Sequence, residues 1–248
     1  MTENDRRKSP LTQTKIEILR QIDLSRVTIK IDKDWKKEEI AFVFQHLDQI
    51  KGLECHDITL NTIFPSKKPD RLRNLSFFNC EVSANVMEHL EKAPLETLTI
   101  DSPKSSININ GAHFKLTKLK VVDETGLVSL NDLDTSSLKS LSLKRDAQFP
   151  ESIFKAASFC PDLEQLEIIG TCLGNRTVLR ILEKADHLTS LTLHNYRDDL
   201  RIERFFSHLK KASLEGSNLT SMRFLSSSPI EHLNVMNVPF FGKATVFL

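Results

Sequence analysis

Residues 72–80 read LRNLSFFNC. Leu72, Leu75 and Phe77 put apolar side chains at the first, fourth and sixth places, and Cys80 stands at the ninth. Successive side chains of an extended strand point to opposite faces. The fourth and sixth residues therefore share an apolar face, while the third, fifth and seventh share the other. A strand this short cannot cover its own apolar face, so it demands neighbours of the same kind. The sequence supplies them. The spacing returns at Leu95-Leu98-Ile100, Leu116-Leu119-Val121, Leu138-Leu141-Leu143 and Leu163-Leu166-Ile168. It continues at Leu188-Leu191-Leu193, Leu209-Ala212-Leu214 and Ile230-Leu233-Val235. Successive starts lie 23, 21, 22, 25, 25, 21 and 21 residues apart.

These eight units resemble the leucine-rich-repeat superfamily, whose repeats run to roughly 20–29 residues. Residues 72–80 follow L-x-x-L-x-L-x-x-N/C to its last letter, with Phe77 at the sixth place, and are similar to the ribonuclease-inhibitor-like repeats of F-box substrate receptors. The resemblance covers residues 50–238. It implies an α/β fold: a leucine-rich-repeat solenoid, with a curved parallel sheet on the concave side and mixed helices and loops on the convex side. The chain departs from the family at the ninth place, where Pro103, Glu124, Asp146, Thr171, Tyr196, Ser217 and Val238 stand. In the family that place hydrogen-bonds the loop backbone from unit to unit, so the departure implies an irregular stack. An F-box, a three-helix module opening on an L-P-x-E-like motif, has no counterpart in the first 50 residues.

Upstream, Cys55-Ile58-Leu60 and Leu24-Val27-Ile29 keep the spacing in degenerate form. The apolar residues Ile40, Val43, Phe44, Leu47 and Ile50 recur at helical intervals and predict a helix over Asp34 to Ile50. Helices are also expected over Val82 to Ala93, Pro150 to Phe159 and Arg176 to Ala185. The units starting at Leu95 and Leu116 return through Ser-, Asn-, Asp- and Gly-rich stretches that read as loops or extended segments. The domain reading is a disordered polar tail over 1–15, a capping strand and helix over 16–52, and the solenoid with its apolar end over 53–248. That end, VPFFGKATVFL, either folds back to close the core or offers an apolar edge to a partner.

Apolar residues make up 40% and charged residues 27%, and the net charge of +1 gives no overall attraction to nucleic acid or anionic membrane. The polar stretch MTENDRRKSPLTQTK has no apolar h-region, and no run approaches a membrane span, so a cytoplasmic protein is expected, with the nucleus as the alternative. Cys55, Cys80, Cys160 and Cys172 show no paired spacing and read as free thiols in a reducing compartment. The sequons at Asn74, Asn175 and Asn218 then read as chance matches.

No nucleophile elbow, zinc-protease motif, P-loop or dinucleotide fingerprint is present. Cys55-His56, Asp198-Asp199 and Asp132/Asp134 read as ordinary surface or core residues. No cofactor or metal is expected, and the function expected is non-catalytic: binding of a protein partner through the concave face. Two features of that face point to it. Phe78, Val122, Ile169 and Met236 are apolar at seventh places, where polar residues are expected, and His194 shares that row. Lys118, Lys120, Lys144 and Arg145 lie on neighbouring units as a basic patch. A cluster of apolar anchors rimmed by charge is typical of protein interfaces. The alternative readings are the substrate-recognition part of a ubiquitin ligase, a host-directed effector, and a nucleic-acid-associated protein using the basic patch and Arg6-Arg7-Lys8. Oligomeric state is not legible.

Overall fold

The computed structural model describes residues 10–61, 67–110, 114–149, 154 and 160–238. Its spine is a ten-stranded, all-parallel sheet whose strands follow one another in chain order. The strands are β1 (Thr28–Ile31), β2 (Gly52–His56), β3 (Asn74–Phe78), β4 (Thr97–Asp101) and β5 (Lys118–Val122). They continue as β6 (Ser140–Lys144), β7 (Gln165–Ile169), β8 (Ser190–His194), β9 (Lys211–Glu215) and β10 (His232–Met236). From β2 to β10 the ladders pair third place with third and seventh with seventh, with no slip between neighbours. The eight units starting at Leu72 and beyond are thus in the register their leucines predict.

The register has a simple physical basis. A one-residue slip would turn every inward side chain of a strand to the solvent side. From β1 to β9, the fourth- and sixth-place side chains are 5% exposed or less. Burying each of the larger ones contributes about 1.5–3 kcal/mol, so the sheet face is the main stabilising surface. Two rows of backbone bonds flank it. From the unit at Ile50 onward, the second-place carbonyl accepts two N–H groups from the next unit, as Lys51 does from Arg73 and Asn74, and Thr189 from Lys210 and Lys211. The eighth-place N–H donates to the next unit's seventh-place carbonyl, from Asp57 to Phe78 through to Gly216 to Met236.

At that eighth place the chain turns out of the sheet, and in seven units it takes a left-handed conformation: Asp57, Asn79, Ser102, Gly170, Asn195, Gly216 and Asn237. Six of the seven are Gly, Asn or Asp, the residues that tolerate this geometry best; Ser102 is the exception. At Gly170, with φ of 80°, an added Cβ would lie 2.4 Å from the Arg145 carbonyl oxygen.

The two degenerate upstream units sit in a different phase from the one their spacing predicts. Leu53 and Cys55 pair with Leu75 and Phe77, so that unit starts at Ile50, and Cys55 is its sixth residue. Ile29 and Ile31 pair with Leu53 and Cys55, so the first unit starts at Arg26. The period-two alternation of apolar residues is satisfied by either phase; backbone pairing decides between them. Ile58 and Leu60 belong to the opposite side of the molecule, where Thr59–Leu60 pairs with Glu81–Val82.

Among the described residues, that opposite side holds few helices. α1 (Pro10–Gln21) and α2 (Lys37–Gln45) lie at the first end, followed by α3 (Ala84–Leu90) and α4 (Asn175–Lys184). Residues 10–15, expected in the polar tail, are part of α1. α2 is shorter than the predicted 34–50 and is followed by turns, though Leu47 and Ile50 still reach the core. Glu39 fixes its start, accepting from the Lys36 N–H at 2.7 Å. α3 starts after Val82 because Val82 is held in the short ladder with Leu60. α4 matches its expectation within a residue: Thr177, Val178, Ile181 and Leu182 are buried on one face. The Leu95 and Leu116 returns are extended, pairing Ile107–Asn110 with Val128–Asn131. Of the helix expected at 150–159 only Phe154 is described, buried and in a parallel bridge with Leu133; its other residues and the apolar segment after Val238 lie outside the described residues.

The last strand among the described residues is β10, where Leu233 and Val235 are only half-buried. Removing an inward side chain within the stack should be costly and removing its outward neighbour nearly free. Leu193→Ala, at a fully buried position, is expected to lose about 2–5 kcal/mol, and Thr192→Ala to stay within about 0.5 kcal/mol. Urea unfolding of the two variants measures this; equal losses would show that the alternation does not define the core.

Candidate functional site: the open face of the sheet

The third, fifth and seventh places of the strands form three rows on the face away from the core. The third and fifth rows are mostly short and polar: Asn74, Ser76, Thr97 and Thr99 on β3 and β4, Ser140, Ser142, Ser190 and Thr192 on β6 and β8. Ser142 donates to the Glu167 carboxylate, and Asn234 Nδ2 donates to Ser213 Oγ at 3.3 Å. A pocket of about 560 Å³ opens over β8–β10, lined by Ser190, Thr192, Lys211, Ser213, His232 and Asn234. Ion pairs run along the second-place edge, joining Arg73 to Glu96 at 3.5 Å, Lys139 to Glu164 at 3.0 Å and Lys210 to Glu231 at 2.9 Å. Each pair links one unit to the next; being exposed, each contributes little to stability.

The seventh-place row is different. In strand order it reads His56, Phe78, Asp101, Val122, Lys144, Ile169, His194, Glu215 and Met236. Phe78, Val122 and Ile169 are half-buried, and Met236 is 45% exposed. They stand on the solvent side with no local flip of register. They do not form a contiguous patch: Asp101 separates Phe78 from Val122, Lys144 separates Val122 from Ile169, and His194 and Glu215 precede Met236. The arrangement is an alternating stripe. At its start His56 stacks on Phe78, with ring centroids 4.5 Å apart, and hydrogen-bonds Glu54. His56 and Glu54 escape the sequence reading because the phase of that unit hides their outward places.

The basic patch is largely neutralised. Lys120 lies 3.8 Å from Asp101 and Lys144 2.7 Å from Glu124, and the latter contact raises the Lys144 pKa above its ordinary value. Arg145 leaves the patch altogether. It stands at the eighth place, beyond the strand, and its side chain is 13% exposed. There it donates to the Val128 carbonyl at 3.0 Å, lies 3.5 Å from the fully buried Asp123 carboxylate and stacks over Phe149. Asp123 in turn accepts from the Leu127 and Val128 N–H groups at 3.0 and 2.8 Å. This pair organises a loop. Of the four cations, Lys118 alone projects from the open face with no ion pair among the described residues.

His194 Nε2 and Ser213 Oγ are 2.8 Å apart, but His194 Nδ1 is 4.0 Å from Glu215, beyond a hydrogen bond. β9 is paired on both sides, so its N–H groups are committed to the sheet and offer no preformed oxyanion donors. Cys55 and His56 are adjacent in a strand and point to opposite faces. All four thiols are buried and free. Burial pushes Cys160 up to about 11 and Cys172 up to about 12, far from a thiolate near neutral pH.

The eroded ninth place keeps part of its role. Cys80 Sγ reaches the Cys55 carbonyl at 3.2 Å and Ser217 Oγ the Leu193 carbonyl at 2.8 Å, both back to the preceding unit. Tyr196 is fully buried, and its hydroxyl donates to the Leu173 carbonyl at 3.0 Å. Two sequon amides are occupied, since Asn175 Nδ2 and Asn218 Nδ2 both donate to Asp199. Among the described residues no group of three His, Cys, Asp or Glu side chains could hold a metal ion, and no helix is long and apolar enough to cross a membrane. No family model, curated protein or solved structure matches the chain.

The buried ion pair makes a direct prediction. Asp123→Ala leaves Arg145 uncompensated and should cost about 3–5 kcal/mol. Asp123→Ala and Arg145→Met together should cost less than the sum of the two, by about 1–3 kcal/mol. Additive losses in a double-mutant cycle would mean that the two groups do not interact.

Proposed function

We propose that the chain is a leucine-rich-repeat solenoid that binds a protein partner through the open, concave face of its sheet, without catalysis. The observation that carries this reading is the seventh-place row. Phe78, Val122, Ile169 and Met236 hold apolar side chains on the solvent side of a sheet whose inward rows are buried from β1 to β9. Apolar groups gain nothing by standing in water, and half-desolvated anchors set among charges are what a protein interface uses. The short hydroxyl residues Ser76, Thr99 and Ser142, on β3, β4 and β6, let a partner approach those strands closely. The repeat reading rests on the 21–25-residue spacing and the in-register stacking, and four buried free thiols fit a reducing cytoplasm.

The substrate-receptor and effector readings are versions of the same proposal with different partners. A nucleic-acid partner is disfavoured, because Lys120, Lys144 and Arg145 are already matched by Asp101, Glu124 and Asp123.

The test compares the tagged chain with a variant carrying Lys118→Glu, Val122→Asp and Ile169→Asp, all at outward positions. Proteins retained by the parent chain at moderate salt and identified by mass spectrometry should be lost by the variant while its unfolding midpoint is unchanged. Retention of every specific partner would move the binding surface off this face. Bound nucleic acid whose affinity falls steeply with salt would replace the protein reading.

A further inference from the structure

The spacing of the seventh-place row carries information about the shape of its occupant. Phe78, Val122 and Ile169 stand on β3, β5 and β7, two strands apart in each case. Neighbouring strands lie about 4.8 Å apart, so the three apolar side chains recur at intervals of about 9.6 Å across the sheet. An α-helix rises about 1.5 Å per residue, so residues seven apart are separated by about 10.5 Å and return to within about 20° of the same face. An extended segment matches badly. Its same-face residues recur at about 6.8 Å and 13.5 Å, and the residue about 10 Å along points away.

The charges between the anchors follow the same rhythm. Asp101 lies midway between Phe78 and Val122, and Lys144 midway between Val122 and Ile169. Residues three or four along a helix fall on the face that holds the heptad anchors. Their present partners, Lys120 and Glu124, are exposed side chains whose exchange for new partners costs little.

Resting on the protein-binding reading above, we propose that the partner element is an amphipathic α-helix laid across β3 to β7. Its apolar residues at i, i+7 and i+14 meet Phe78, Val122 and Ile169. A basic residue between the first two faces Asp101, and an acidic residue between the second and third faces Lys144. In the neighbouring fifth-place row Ser76, Thr99 and Ser142 are short, while Lys120 and Glu167 stand on β5 and β7. Met236, three strands beyond Ile169, lies outside the repeat and outside this contact.

The experiment is selection from a displayed library of random peptides, each about 25 residues long and so able to span three heptad anchors, on the full chain. The same chain carrying Val122→Asp and Ile169→Asp serves for counter-selection. Enriched peptides should carry apolar residues at i, i+7 and i+14 with the stated charges between them. They should gain helical circular dichroism on binding, and bind the variant at least about tenfold more weakly, a difference of about 1.4 kcal/mol. Peptides lost on the variant but patterned at i, i+2 would overturn the helix while leaving the open-face reading in place. Peptides that bind parent and variant alike, or no enrichment at all, would overturn both.

Discussion

The structure depends on one constraint: a unit of this chain cannot bury its own inward side chains. Each strand offers two apolar residues to one face, and those residues are dry only because identical places on the strands before and after lie directly alongside. Register is therefore the quantity that everything else serves. The bifurcated second-place carbonyls lock one side of the stack, and the eighth-place N–H groups lock the other. Between them the strands pair without a slip over nine consecutive ladders. The return segments can then vary from helix to short ladder, because they need only cover the back of the inward rows.

The same constraint explains where the molecule is free to carry function. Inward places are fixed by packing, while outward places contribute little to stability and are open to use. The third and fifth rows take the inexpensive choice of short polar side chains. The seventh row does not, and its alternation of apolar and charged residues is the departure that packing leaves unexplained. Buried polar groups, by contrast, prove structural on inspection. Asp123 and Arg145 shape a loop, Tyr196 and Ser217 tie consecutive units together, and Glu39 starts a helix.

Much of this was legible in the sequence and some was not, for reasons that can be named. The eight strong units have leucine or isoleucine at the first place, and that residue sets the phase without ambiguity. Of the two upstream units, the one at Arg26 lacks that anchor, and the one at Ile50 has it but is followed by Cys55-Ile58-Leu60, which fits the same spacing. Alternating apolar residues alone fit several phases, and the choice at Cys55 and Leu24 differs from the one backbone pairing makes at Ile50 and Arg26. Arg145 joins the basic patch in the sequence only through its adjacency to Lys144; alternation by itself would turn the eighth place away from the open face. At the eighth place the chain has already left the sheet, so alternation no longer applies. The apolar places on the open face were visible, but their mutual separation by Asp101 and Lys144 emerges only once neighbouring strands are aligned.

The central claim is the orientation of the strands in the middle of the sheet, since both the core and the binding face follow from it. The most direct measurement is maleimide reactivity of single cysteines introduced into the folded chain. They would be placed at Val121, Leu143 and Ile168 on the inward row, and at Val122, Lys144 and Ile169 on the outward row. The account predicts rapid labelling at the second set and none at the first until the chain is unfolded. Labelling of both sets alike, or of the first set preferentially, would contradict it.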